Sequence, residues 1–491
     1  MSKEAEVSDK TSWTTCPELG GAAHATTIDT LPDDILLDTF DFYLGKDHVN
    51  EIDGGHDYDG WHTLVHVCRR WRSIVFASPR RLGLKLYCTR KRSVNSQTLD
   101  IWPELPIVMV ARDIQSEKDV TNVIGALRHH NRVCKIYYED LGSEDSTLNE
   151  FAAIDEPFPA LTALILTAYR PNVPVFPDSF LGGSAPWLRS LALNGIPYPS
   201  VGRLLSSTTN LVHLCLWRIP HAGYISPETI VSYVSTLPTL ESLTLGFEYP
   251  RSLAHRANRH PPPLTRVVFP SLTSLHFHGD IEYLEDILSQ IETPVLRESK
   301  FDCFNQLVFD TPLLGQFIRR TETSMTFHAA RVQRSDSKIV IELSGREEMG
   351  NIAVRQAQWL GITCKPLDWQ LSALAQVLNS FLSSLSTLES LKIGAPFGYK
   401  WQGELEAIQW QELLHPFSAV KKLTLESEDL VRLVAPALQE LVGQRATEVL
   451  PALQNLFLNT EDWRPSGPVK EAIEQFIAAR QLCGHPVTIH Y

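Results

Sequence analysis

The sequence predicts an α/β chain in two parts, a small N-terminal helical module followed by an irregular solenoid of parallel strands with helices or loops outside. Three observations carry that prediction. Leucine is spread unevenly, with 14 of 64 in the first 150 residues and 50 in the other 341. From Leu82 onward, stretches with period two alternate with stretches at helical spacing, the pattern of parallel strands joined by crossovers. Within the leucine-rich part a Leu-x-x-Leu-x-Leu core recurs. A chain of 491 residues is also too long for one ordinary core, so several domains or one extended repeat array are the choices.

Residues 1–27 are polar and small, with no apolar period, and read as a disordered tail. From Leu31 to Phe40 the order Leu-Pro-Asp-Asp-Ile-Leu-Leu-Asp-Thr-Phe places Pro32 and two aspartates in a first helical turn. There the missing proline donor costs nothing and carboxylates meet the positive helix end. Ile35, Leu36 and Phe40 follow at helical spacing. A Gly- and Asp-rich loop is expected over 45–60, then an amphipathic helical stretch from Trp61 whose stripe is Leu64, Val67, Cys68, Trp71, Ile74 and Val75. The helical module thus spans 28–80, and the solenoid 81–491.

In the second part, Leu82, Leu84 and Leu86 read as a strand, Ile107 to Val110 as another, Val120 to Leu127 as a helix and Val133 to Tyr137 as a strand. The repeated core then begins at residues 161, 188, 211, 240, 272, 388, 420 and 453. Most steps are at or slightly above the roughly 20 to 29 residues of a leucine-rich repeat. The long interval from 272 to 388 has room for about four degenerate units, with weak strand candidates at Val295 to Phe301, Met325 to Phe327, Ile339 to Leu343 and Ile362 to Cys364. Pro468 opens a last helix with Ile473, Phe476 and Ile477 inward, and Val487, Ile489 and Tyr491 alternate as a final strand. Residues 465–491 therefore read as a cap over the open end of the array. The physical reason for the spacing is that Leu-x-Leu sends two strand residues into the core and the one between them outward, and no unit buries its leucines alone.

Composition excludes several functions. The formal charge of -13 repels nucleic-acid phosphates and anionic lipid at long range, so neither nucleic acid nor membrane is an expected partner. No stretch approaches the roughly 18 apolar residues of a membrane helix, and the start lacks a signal-peptide pattern. Eight scattered cysteines without a Cys-x-x-Cys pair fit reduced thiols, and the expected location is cytoplasmic, nuclear or both. His62 and His66 stand at i, i+4, but no third and fourth zinc ligand is fixed beside them. Aligning Gly60 with the glycine of a calcium loop puts Gly55 and His66 at ligand positions, so that motif fails. Phosphate-cradling, dinucleotide and nucleophile-elbow motifs do not occur, and neither cofactor, metal nor catalytic residue is expected.

Charge is also arranged in blocks. Residues 1–60 hold 14 acidic and 3 basic side chains, whereas 69–92 hold nine basic and no acidic ones. A solvated, partly paired helix face accounts for the basic block better than a nucleic-acid patch, because few aromatic residues interleave with it.

The segment Leu31-Pro32, Ile35, Leu36, Phe40 and Val67-Cys68-Arg69-Arg70-Trp71-Arg72 with Ile74 and Val75 resembles an F-box, the adaptor-binding helical module of cullin-based ubiquitin ligases. Residues 61–72, Leu99-Asp100-Ile101-Trp102-Pro103, Pro436 to Leu441 and Ala478-Ala479-Arg480-Gln481 are similar to shared phrases of basidiomycete fungal F-box proteins with degenerate leucine-rich repeats. Two departures stand out: the acidic loop separates the helices widely, and the repeats lack a regular Asn or Cys ladder. The resemblance implies that Leu31, Pro32, Ile35, Leu36, Phe40, Val67, Cys68, Trp71 and Ile74 meet the Skp adaptor, and through it cullin and RING subunits. It also implies that the repeats hold an unknown client protein for ubiquitination. On the repeats, the outward residues His213, Trp217, His276, His278, Lys392, Lys422 and Phe457 are the candidates for a client-binding concave face. A repeat scaffold that joins no ligase is the alternative.

Overall fold

The computed structural model describes residues 28–45, 60–89, 105–112, 117–141, 148–170, 172–250, 265–304, 311–321, 327–335, 338–345, 357–363, 367–379, 385–394, 407–441, 443–458 and 464–491. The expected tail at 1–27 and all but the ends of the expected loop at 45–60 lie outside them, as does the Leu99 to Pro103 phrase. The chain divides into two compact units, Met1–Leu84 and Lys85–Tyr491.

In the first unit, helix α1 (Asp33–Gly45) starts one residue after Pro32, whose carbonyl accepts the amides of Ile35 and Leu36. Asp33 and Asp34 occupy its first turn, as the sequence predicts. The stripe expected to run unbroken from Trp61 is instead two helices, α2 (Gly60–Val67) and α3 (Arg69–Ala77). Cys68 is the break. Its backbone is extended, with φ -156° and ψ 171°, and its Sγ accepts the amide of Trp71 at 3.4 Å, doing for α3 what a Ser or Asp N-cap usually does. Leu36, Phe40, Trp61, Leu64, Ile74 and Val75 are buried, and the Trp71 ring packs on Phe40 with centroids 4.7 Å apart. Arg70 pairs with Asp33 at 2.6 Å and Arg81 with Asp38 at 2.5 Å, so part of the basic block is matched by the acidic first helix. Such part-exposed pairs contribute about 0 to 1 kcal/mol each and mainly fix orientation. Leu82 and Leu84 are buried, but the predicted strand is a turn there, with Gly83 at φ 58°.

The second unit is built on strands β1 (Leu86–Thr89), β2 (Ile107–Arg112), β3 (Val133–Asp140), β4 (Ala163–Ala168), β5 (Ser190–Asn194), β6 (His213–Ile219), β7 (Ser242–Phe247), β8 (Val267–Val268) and β9 (Ser274–Gly279). They continue as β10 (Ile291–Glu292), β11 (Glu298–Cys303), β12 (Ala329–Ser335), β13 (Lys338–Ser344), β14 (Ala357–Thr363), β15 (Ser390–Gly394), β16 (Lys422–Leu425), β17 (Asn455–Leu458) and β18 (Thr488–His490). β8 and β10 form a separate pair, and the rest make one 16-stranded sheet ordered β1 to β7, β9, β11, β14, β13, β12, β15 to β18.

All eight predicted units are strands of this sheet, each starting two residues after the first apolar residue of its core. Leu161, Leu188, Leu211, Leu240, Leu272, Leu388, Val420 and Leu453 are buried at the strand entrances. The paired leucines behind them, such as Leu191 and Leu193 or Leu214 and Leu216, stack in register across neighbouring strands. In place of an Asn ladder, the backbone itself links the entrances: Arg189 N–H donates to the Thr162 carbonyl, Val212 to Arg189, Glu241 to Val212, Thr273 to Glu241 and Arg297 to Thr273, each at 2.8 or 2.9 Å.

The interval from 272 to 388 departs from the prediction of about four degenerate units. Among the described residues of this interval only β11 continues the parallel series of the large sheet, and β12, β13 and β14 form a meander inserted in reverse spatial order. β13 is antiparallel to both its neighbours, while β14 lies parallel to β11 and β12 parallel to β15. Three strands of alternating direction return the chain parallel to both flanks, so the insertion interrupts the repeat without breaking the sheet. The candidates at 295–301, 339–343 and 362–364 fall on or beside β11, β13 and β14. The one at Met325 to Phe327 precedes β12, and its first two residues lie outside the described ones.

Helices line one side of the sheet. In order they are α4 (Glu117–Leu127), α5 (Leu148–Ala152), α6 (Val201–Leu205), α7 (Pro227–Val234), α8 (Ile281–Gln290), α9 (Pro312–Thr321), α10 (Leu367–Asn379), α11 (Ala407–Leu414), α12 (Glu428–Gln439) and α13 (Gly467–Leu482). From α6 to α9, and again from α10 to α13, each touches the next. Glu285, fully buried on α8, accepts the Leu313 and Leu314 amides at 3.0 and 2.5 Å and so caps the following helix α9. In the C-terminal cap Ile473, Phe476 and Val487 are buried, whereas Ile477 is half-buried and Tyr491 exposed.

Candidate functional site

The side chains between the repeat leucines project from the sheet face opposite the helices, and strand register sets them in rows. The central row runs through Cys215, Thr244, His276 and Lys300, includes Arg331 on β12 of the meander, and continues past it as Lys392, Thr424, Phe457 and His490. The seven predicted client-binding residues therefore fall into two groups on this open face.

The first group lies on β6 and β9. His213 is exposed, and His276 Nε2 stands 3.2 Å from Glu298 Oε1. Trp217 sits at a bulge where the β6–β7 register shifts and Arg218 takes φ 49°. Its ring lies across Gly246, where an added Cβ would come within 2.4 Å, and reaches to 5.4 Å from the His278 ring. His278 also packs edge-on to Phe304 at 4.7 Å and has Nδ1 3.4 Å from Asp302 Oδ2. The same carboxylate pairs with Lys338, which β13 of the meander brings back to β11. Burial works against the Asp302 carboxylate, but the neighbouring His278 imidazole and the charge and hydrogen bond of Lys338 outweigh it and hold its pKa below the ordinary value. Burial lowers the Lys338 pKa despite Asp302 beside it.

The second group is at the C-terminal end. Lys392, Lys422 and Phe457, predicted separately from three repeats, line a single cavity of about 270 Å³ with Thr424, Leu458, His490 and Tyr491. The Lys422 ammonium lies 4.8 Å from the Phe457 ring centroid, and the Phe457 and His490 rings stack at 4.3 Å with planes 12° apart. His490 Nε2 is 3.0 Å from Asn455 Oδ1. Thr424 is 7 % exposed, and its Oγ1 has no protein hydrogen-bond partner.

The predicted adaptor-binding residues are divided by burial. Pro32, Ile35 and Val67 are exposed, Ile35 and Val67 by 47% and 56%, while Leu31, Cys68 and Trp71 are half-buried. Leu36, Phe40 and Ile74 lie inside the module and support the others from behind. The Leu31 carbonyl accepts Arg70 Nη2 at 2.5 Å, which ties the Leu-Pro turn to the Cys-Arg-Arg-Trp segment.

Burial pushes the Cys215 thiol up to about 11, against a hydrogen bond to Thr244, and pushes Cys303 up further, so both stay protonated at neutral pH.

Neither a family model nor a curated protein matches the sequence. Among solved structures, the leucine-rich repeat-containing protein LegL7 from Legionella pneumophila aligns at 16% identity with a TM-score of 0.28, over 69% of this chain and 97% of that one. At that score the likeness adds nothing to the geometry. The strands' own pattern, a parallel ladder with paired leucines inward and helices on one side, makes the second unit a leucine-rich-repeat-like α/β solenoid. Among the described residues no helix is long and apolar enough to cross a membrane.

Proposed function

We propose that the chain is the substrate-recognition subunit of a Skp-cullin-F-box ubiquitin ligase. The helical module holds the Skp adaptor, and through it the cullin and RING subunits, while the open face of the repeat sheet holds a client protein. The chain itself is non-catalytic, uses no cofactor, and works in the cytoplasm, the nucleus or both. The observation that carries this reading is the first unit's split between a small core and an apolar surface. Leu36, Phe40, Trp61 and Ile74 close the core, yet Ile35 and Val67 stay about half exposed, Pro32 is exposed and Leu31 is half-buried. Ile35 and Val67 are each already about half covered, so a partner that buries the rest adds roughly 1 kcal/mol per side chain. The open face supports the client half of the reading, because parallel repeats set Trp, His, Lys and Phe side chains in rows on a continuous surface.

Affinity capture of the tagged full chain from its native cells tests the ligase assignment. Skp, cullin and RING subunits are expected together, and are expected to disappear with Ile35→Asp, a change at an exposed position that leaves the core intact. Capture of a stable partner without those subunits would instead establish a ligase-independent scaffold.

A further inference from the structure

We propose that the cleft at the entrances of β7, β9 and β11 binds an arginine side chain carried on an extended segment of the partner protein. This rests on the open face being a partner surface, which the cleft adjoins at His276, but not on the ligase assignment. The cleft is a cavity of about 580 Å³, and all three strand entrances contribute polar side chains to it. Glu241 stands before β7, Ser271 and Thr273 before β9, and Arg297 before β11, while Ser274 and Glu298 are the first residues of β9 and β11. Backbone bonds fix them in two rows. The Glu241 carbonyl accepts the amides of Thr273 and Ser274 at 2.8 and 3.0 Å, and the Thr273 carbonyl accepts those of Arg297 and Glu298 at 2.8 and 3.0 Å. Ser274 and Glu298 are also register partners.

The hydrogen-bond inventory decides what the cleft can take. The Ser271 hydroxyl donates to the Pro238 carbonyl at 2.9 Å, and the Thr273 hydroxyl to the Glu241 carbonyl at 3.1 Å. Each has committed its one proton to the backbone and has only lone pairs left to offer. The Glu298 carboxylate meets His276 Nε2 through Oε1 at 3.2 Å, which leaves Oε2 to accept. The Glu241 carboxylate is exposed and has no hydrogen bond or ion pair among the described residues. Two carboxylates and two hydroxyls with their protons engaged form an acceptor surface, and a donor-rich cation is its complement.

Arginine fits this surface better than lysine. The acceptors are spread over three strand entrances, about 10 Å at the backbone, and a guanidinium presents five donors in a planar fork where an ammonium is a compact point charge. Val295, 42% exposed, gives the aliphatic stem an apolar support. Arg297 lies two strands from Glu241 along the same row, and its like charge opposes a second basic group. At long range the overall charge of -13 attracts a basic partner.

The test is fluorescence anisotropy with the full chain and a labelled, N-acetylated, C-amidated octapeptide of Ser and Gly with one central Arg. Its control carries citrulline, which keeps the shape and loses the charge. The Arg peptide is expected to bind about fivefold more tightly than the citrulline peptide, the ratio that part-exposed charge contacts supply. Glu241→Gln with Glu298→Gln is expected to remove that preference, while Glu471→Gln with Glu474→Gln, an equal change of charge on exposed positions of α13, leaves it intact. Thr273→Val is the sharper variant. It keeps the shape and the charge, and the Glu241 carbonyl retains two amide donors, so the melting temperature is expected to hold while the Arg peptide weakens several-fold and the citrulline peptide does not.

The proposal is overturned if the Arg and citrulline peptides bind alike, if the Glu241 and Glu298 variant binds the Arg peptide unchanged, or if Thr273→Val leaves it unaltered. Tighter binding by the same peptide with Lys, or by a phosphoserine peptide that engages Arg297 instead, would overturn the arginine assignment. If the Arg peptide fails while partner capture is still lost on changing Trp217 and His278, the open-face reading stands and the cleft proposal alone falls.

Discussion

Arg480 makes the strongest single demand on the C-terminal cap. It is a fully buried arginine on α13, and its Nη1 donates to the Ala446 carbonyl at 3.0 Å while Nη2 donates to Pro451 and Leu453 at 3.0 and 3.1 Å. All three acceptors lie in the connection before β17, where Leu450 holds φ 50°, a backbone region that costs a branched residue about 1 to 2 kcal/mol. One side chain thus clamps a strained turn to the last helix. Arg480→Met keeps most of the packing against Phe476 and removes all three bonds. Each charge-assisted bond is worth about 1.5 to 3 kcal/mol, so the gross loss is roughly 5 to 9 kcal/mol. Relief of guanidinium desolvation returns several kcal/mol of it, leaving about 3 kcal/mol net. Spread over a terminal repeat unit, that is roughly a 100-fold higher opening constant. Hydrogen exchange read by mass spectrometry on peptides covering 467–490 measures it directly. Protection there should fall by about two decades while β4 to β7 stay unchanged. Exchange within twofold of wild type across 467–490 would refute the clamp.

Two other perturbations follow from buried carboxylates. The Asp302 pKa is depressed in the folded state, so its contribution to stability is present above the unfolded carboxylate pKa and lost as pH falls through the folded one. Asp302→Asn should therefore lower the denaturation midpoint at pH 7 and narrow its gap to wild type below about pH 4, as urea titrations at both pH values would show. Glu285→Ala leaves the Leu313 and Leu314 amides without their acceptor and should cost about 2 to 3 kcal/mol in the same titration; an unchanged midpoint would mean the cap is dispensable.

The repeat array was readable because its physics is local. A strand that buries Leu at alternate positions must carry Leu-x-Leu, and the buried residue three before it marks the entrance, so Leu188, Leu191 and Leu193 announce β5 by themselves. Direction is not local. The alternation of Ile339, Ile341 and Leu343 identifies a strand equally well whether it runs with or against its neighbours, and the meander therefore passed for ordinary repeats. The break at Cys68 was hidden for a related reason: the apolar spacing continues through it, and the cap is a thiol rather than a hydroxyl or carboxylate.

Part of the site was legible for the same cause as the strands. Lys392, Lys422 and Phe457 are outward because of their places beside repeat leucines. Their meeting in one cavity depends on register, and His490 and Tyr491 join it only because the last strand pairs with β17. Asp302 and Lys338 were missed because the lysine arrives on a strand inserted out of order. The Arg480 phrase near the C-terminus was recognisable by resemblance, but its carbonyl partners are 27 to 34 residues away in the chain.

The proposal that the first unit docks a Skp adaptor through its exposed apolar residues is open to direct measurement. Isothermal calorimetry between the purified chain and a purified Skp adaptor measures this most directly. A saturable 1:1 interaction is expected that vanishes with Ile35→Asp or Val67→Asp, while circular dichroism shows the helices of both variants retained. Absence of binding heat for the wild-type chain, or equal affinity in the two variants, would contradict it.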